Sequence, residues 1–260
     1  MQFQLLFQLP EWLIFLMVSF SSILIFDLFF RKGLFTAKNN RDIANKASDL
    51  LPNSLMMLLA LFFGFSLSMS ISRFDNRKTL VLREANAIGT TYLRADFFSE
   101  TAAANIKSLL KKYLDHRAQY YTFQSDYEKV RAYSAKTEEL HTEIWSASVV
   151  AIKTDWQPSY LSYINSLNEM IDLDAERRHH SLTDHVPEPV YYIIILLIFI
   201  SLGALGYVHG CRGNRRYTGV LLSILFSLVL TIIMDLDRPR RGFIRVPEDS
   251  ILRLQESLSK

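Results

Sequence analysis

A single cysteine, Cys211, occurs in 260 residues. No disulfide can therefore close within the chain, and cysteines alone cannot build a zinc cluster. Excess charge is also small: the formal balance is +3. No basic stripe alternates with aromatics as in single-strand binders, which removes nucleic acid as a partner. The chain lacks a nucleophile elbow, a phosphate loop, an HExxH helix and a catalytic carboxylate pair. It therefore reads as a non-enzyme without cofactor or resident metal. Turn residues are scarce as well. After Arg73 no proline occurs before Pro158, and Gly89 is the one glycine up to Glu188. Missing punctuation of that kind excludes a strand-rich domain and leaves long helices.

Four apolar runs stand out: Trp12–Phe30, Pro52–Ser72, Val190–Cys211 and Tyr217–Met234. Each approaches the ~20 residues a helix needs to cross hydrocarbon, and a helix satisfies its own backbone groups there. The expected fold is an all-α, multi-pass membrane protein whose four transmembrane helices, in two pairs, flank a central helical domain. Its expected segments are 1–72, 73–189, 190–236 and a strap with a short helix over 237–260. No Lys or Arg precedes the first run, which ends in Arg31–Lys32, so it reads as an anchor and not a leader. An even number of spans puts both termini and the central domain on one face. Basic residues in the short loops (Arg31, Lys32, Lys38, Arg41, Lys46, Arg212, Arg215, Arg216) assign those loops to the cytoplasm, while Arg238, Arg240, Arg241 and Arg245 pull the other way.

The second span is expected to continue without a break to about Phe98, a helix of roughly 45 residues. Ser99 can cap the next helix, with Ile106, Leu110, Tyr113, Leu114 and Tyr121 on one side. A third helix starts near Ser125–Asp126, with a seam of Val130, Tyr133, Thr137, Leu140, Ile144, Ala147 and Ala151. Pro158 suits the first turn of a fourth, whose stripe is Tyr160, Ile164, Leu167 and Ile171.

Two segments carry candidate sites. In LREANAIGTTYLRAD, Ala85 and Gly89 form a smooth strip, while Asn86, Thr90 and Arg94 share a polar face flanked by Glu84 and Asp96. Such a face is either a satisfied packing network or the wall of a water-filled ion path. In MDLDRPRRGFIRVP, Asp235 and Asp237 precede Arg238, Arg240, Arg241 and Arg245, and Pro239 and Gly242 forbid a continuing helix. The carboxylates can pair with the arginines or face a hard cation, although two are too few for a metal site. Asp27 is placed to reach the headgroups, and His179, His180 and His185 fall in a highly charged, solvated stretch.

At these two motifs, and at GFSLSMSISRFDNRK, the chain resembles the bestrophin-like family of bacterial membrane proteins. Bestrophins are pentameric anion channels with four spans per subunit, a cytosolic helical domain and a pore lined by the second span. The resemblance implies a homo-oligomer in the lipid bilayer, in a bacterial inner membrane, that passes small inorganic ions. Phe62, Phe63 or Phe65 would then narrow the path, and Ser66, Ser68, Ser70 and Ser72 would line a wetter section. Arg73 and Arg77 would stand near the mouth and raise local anion concentration. No residue is matched to the bestrophin neck or calcium clasp. A membrane-anchored interaction or sensory module fits the same layout, because Leu55–Phe63 is wholly apolar and suits lipid or packing as well as a gate.

Overall fold

The computed structural model describes residues 9–119, 127–182, 185–213, 216–238 and 242–259. In chain order its helices are α1 (Glu11–Asn39), α2 (Arg41–Asn45), α3 (Leu50–Arg94), α4 (Glu100–Ala118), α5 (Tyr127–Thr154), α6 (Tyr160–Leu182), α7 (Glu188–Arg212), α8 (Tyr217–Asp237) and α9 (Asp249–Ser259). Four of them, α1, α3, α7 and α8, are long and apolar enough to cross a membrane, and they contain the four apolar runs. No strand occurs among the described residues. The chain divides into two compact units, one of Met1–Arg73, His185–Arg238 and Gly242–Ile244, the other of Phe74–Asp184, Pro239–Arg241 and Arg245–Lys260.

In the first unit, α1 and α7 meet backbone to backbone. A Cβ added at Gly206 would run into the carbonyl of Phe26, one at Gly210 into that of Phe30, and one at Gly33 into that of Tyr207. Lipid gives apolar helices no hydrophobic reason to associate, so small residues that permit close approach do the work instead. Gly219 of α8 likewise makes room for the Phe26 ring, which is itself buried. Around these contacts lie Leu59, Ile194, Ile198, Leu202, Leu230 and Ile233, all fully covered. Ser223 and Ser227 are equally covered, and their hydroxyls donate to the carbonyls of Gly219 and Ser223 at 2.8 and 2.7 Å. Gly213 (φ 67) ends α7 in the left-handed region, where a side chain would be strained.

The second unit takes the later part of α3 together with α4, α5, α6 and α9. The long helix passes Arg83 unbroken but stops at Arg94, and a 3-10 turn over Ala95–Phe97 replaces its expected last turn. Ser99 does precede α4, yet its hydroxyl makes no capping bond. Leu80, Ile88, Ile106, Leu110, Tyr113, Leu140, Ile144, Tyr163, Leu167 and Met170 form the core. Tyr121 and the Ser125–Asp126 start lie outside the described residues, as does the side chain of Val130. On α6 the buried stripe is Tyr160, Tyr163, Leu167 and Met170, with Ile164 and Ile171 only at its margin. Tyr163 can go inside because its hydroxyl has a partner, the Ser148 hydroxyl at 2.8 Å. The amphipathic α9 buries Ile251 and lays Leu254 against Gly89, where a Cβ would stand 3.3 Å from Leu254 Cδ1.

Candidate functional site

Helical spacing puts residues two apart on opposite sides, and that rule sorts the candidates on α3. The covered side runs Leu59, Phe63, Ser66, Ser70, Arg73, Arg77, Leu80 and Glu84, in steps of three and four. Phe63 packs on the Phe226 ring at 6.0 Å between centroids, and Phe62 is half-buried. Ser66 and Ser70 are enclosed, Arg77 is 5% exposed and Arg73 is half-buried. The expected wet section therefore splits: Ser68 and Ser72 are exposed, whereas Ser66 and Ser70 are not. The two arginines expected at a mouth follow the covered stripe.

The opposite side is open along the whole helix: Met57, Leu61, Gly64, Ser68, Ser72, Asp75, Thr79, Leu82 and Asn86 are all exposed. Phe65, 64% exposed, flanks this stripe. Through the middle of the stripe the side chains are small or polar. Asp75 is its one charged member, exposed and without a hydrogen bond or ion pair among the described residues.

Further along the covered side stands Glu84, fully buried and gripped by two guanidinium groups. Arg117 Nε donates to its Oε1 at 2.5 Å and Arg117 Nη2 to its Oε2 at 3.0 Å, while Arg177 Nη1 donates to Oε2 at 2.6 Å. Arg117 also faces Asp174 at 3.0 Å, and Arg177 reaches Glu248, just before α9. Burial alone would push the Glu84 carboxyl up, but Arg117 and Arg177 override it and hold it at about 2. Sequence reasoning set Glu84 at the flank of a polar face and missed Arg117, Asp174, Arg177 and Glu248. The remaining members of that face do not converge: Asn86 is exposed, Thr90 is half-buried, Arg94 donates to the Ser162 carbonyl at 2.8 Å, and Asp96 pairs outward with Lys107 at 2.5 Å.

Among the described residues the strap carboxylates accept from backbone and from a tyrosine hydroxyl, while Arg240, one of the arginines they were expected to pair with, lies outside those residues. Asp235 accepts the N–H groups of Phe243 and Ile244 at 3.0 and 2.9 Å. Gly242 (φ 113) makes this hook possible, since a Cβ there would run into the Asp235 carboxylate. Asp237 accepts the Val186 N–H at 3.0 Å and the Tyr191 hydroxyl at 3.1 Å. Arg238 turns to Glu11 Oε1 at 2.5 Å and the Leu9 carbonyl at 2.9 Å. Arg241 lies outside the described residues. Asp27 pairs with Arg31 at 2.6 Å and Arg216 at 3.3 Å. The histidines do not form a shared site: His179 is exposed, His180 lies 3.5 Å from Asn76 Nδ2, and His185 Nδ1 is 3.2 Å from the Asp237 carbonyl.

No curated protein matches the chain in sequence. Among solved structures, a bacterial bestrophin homologue from Klebsiella pneumoniae is 16% identical with a TM-score of 0.68, over 92% of this chain and 96% of that one. A tyrosine-to-alanine variant of that homologue gives 16% and 0.69, over 93% and 97%. A membrane protein carrying a leucine-to-alanine change gives 15% and 0.69, over 92% and 97%. Identity that low speaks for the fold. The bestrophin-like domain family itself matches residues 16–251, a stretch that takes in most of the first span, the other three whole, the open α3 face, the buried clasp that Arg117 and Arg177 form on Glu84, and the strap, and the chain belongs to that family.

Proposed function

We propose that the chain assembles with copies of itself into an ion channel of a bacterial inner membrane, with α3 of each subunit lining the path. The observation that carries this reading is the open α3 face. Ser68 and Ser72, inside the apolar run, would gain nothing from facing lipid, and polar groups at membrane depth generally face a bundle interior or a water-filled path; Asp75 continues the same stripe just beyond the run. Membership of the bestrophin-like family supports the same reading. Met57 and Leu61 on the stripe, with Phe65 beside it, form the apolar collar from which water withdraws. Phe62 and Phe63 take no part in that collar.

The test joins two measurements on the full-length protein: its oligomeric state in detergent and its conductance in planar bilayers. The expected result is an oligomer whose current rises when Leu61 and Phe65 are both changed to Ala, because the dry barrier is gone. A stable monomer ends the channel reading. So does silence from an oligomeric double variant, which would leave an anchored interaction module.

A further inference from the structure

Where α1 leaves its apolar run, Leu28, Arg31, Lys32 and Phe35 fall on one face, spaced by three and four. Tyr207 of α7 and Thr36 join them around an open groove of about 450 Å³. The groove has two chemistries. Phe20, Leu24 and Leu28 continue down the same side of α1 as an exposed apolar lane into the span. At its upper end stand a guanidinium, an ammonium and two hydroxyls.

The cations there are not spent. Arg31 gives its Nε to Asp27 at 2.6 Å, yet its side chain is 70% exposed and its terminal nitrogens remain available. Lys32 Nζ sits 5.2 Å over the Phe29 ring and meets no carboxylate among the described residues. Lys38 and Arg41 add positive charge to the same unit, while Arg212 pairs with Asp49 and Arg216 with Asp27.

We infer that this groove binds an anionic glycerophospholipid, its phosphate held between Arg31 and Lys32 and one acyl chain along Leu28, Leu24 and Phe20. A basic groove at the level of the headgroups suits that ligand, since each cation near an anionic headgroup adds to the attraction. Free phosphate would leave the apolar lane uncovered. A second copy offering the same face would set like charges against each other. This inference stands apart from the channel reading, because it concerns α1 and α7 and not the open face of α3.

The experiment is native mass spectrometry of the full-length protein in neutral detergent, titrated separately with phosphatidylglycerol, phosphatidylcholine and inorganic phosphate. Phosphatidylglycerol should bind more tightly than phosphatidylcholine, and inorganic phosphate should not displace it. Lys32→Gln should weaken phosphatidylglycerol about fivefold, the effect of one cation near the headgroup, and Arg31→Gln in addition should weaken it again. Lys32→Arg should retain the affinity, which separates lost charge from lost folding. Lys46→Gln, outside the groove, should leave it unchanged. Equal binding of the two lipids would overturn the inference. Equal losses from Lys46→Gln and Lys32→Gln would too, as would a cross-link between copies through Lys32.

Discussion

Glu84 shows how much one side chain can organise. Its carboxylate is enclosed with Arg117 and Arg177, so removing the negative charge takes a buried partner from two guanidinium groups at once and leaves them to Asp174 and Glu248. Glu84→Gln should cost about 3–5 kcal/mol, the usual penalty for breaking a buried pair from one side, read as a lower thermal midpoint in detergent. An unchanged midpoint would show that water reaches the clasp. The same carboxyl sets a pH dependence. Its folded value is about 2 against 4.5 for the free group, so in acid the unfolded chain takes up the proton first. Its contribution is therefore present above 4.5, declines below that and is lost by about 2. Burial holds His116 and His141 below their usual 6.5, so they begin a decline in the same direction as pH falls through that value. Glu248 opposes it, because burial pushes its carboxyl up and its protonation favours the folded side. The midpoint of the wild type should fall between pH 4.5 and 2 more steeply than that of Glu84→Gln.

At the scale of elements, the α1–α7 contact and the α3–α9 contact make opposite demands on glycine. A methyl at Gly210 meets the Phe30 backbone, which cannot yield, whereas one at Gly89 meets the end of Leu254, which can. Gly210→Ala should therefore abolish or severely reduce folded protein, while Gly89→Ala should be mild. Gly89→Leu, which overfills the same contact, should cost ~1–3 kcal/mol. Comparable midpoints for Gly210→Ala and Gly89→Ala would contradict this ranking. The spans were legible because hydrocarbon demands a contiguous apolar run, and nothing else in the chain imitates one. The clasp was hidden because Arg117, Asp174 and Arg177 resemble solvated helix ends. Their register was the available signal: Arg117 follows Tyr113 by four, and Asp174 and Arg177 extend Tyr160, Tyr163, Leu167 and Met170 in steps of four and three. The serines of α3 could also have been separated in advance, since alternate positions cannot share a helical face. The strap was the least readable element. Among the described residues its carboxylates accept from backbone N–H groups and the Tyr191 hydroxyl, and no residue pattern announces a backbone donor.

At the scale of the whole molecule, an assembly lined by α3 would repeat Asp75 once per subunit and form a ring of negative charge on the path. Such rings favour cations. The arginines that suggested anions follow the covered side. The charge on the open face thus predicts a cation-preferring current, and Asp75→Asn should shift the reversal potential in a salt gradient towards the anion side. An unshifted potential in a conducting oligomer would place Asp75 off the path. The unbroken course of α3 has one more consequence. In a helix that crosses from span to domain without a joint, length and phase are the same variable. One residue inserted between Arg73 and Lys78 would turn every later residue by about 100° relative to every earlier one. Glu84 would swing away from the side that carries Ser66, and an insertion before Asp75 would also take that residue out of the line of Ser68. Seven residues would nearly restore the alignment, to within about 20°. Along α3, only near-whole turns can be added without setting its covered and open stripes out of line.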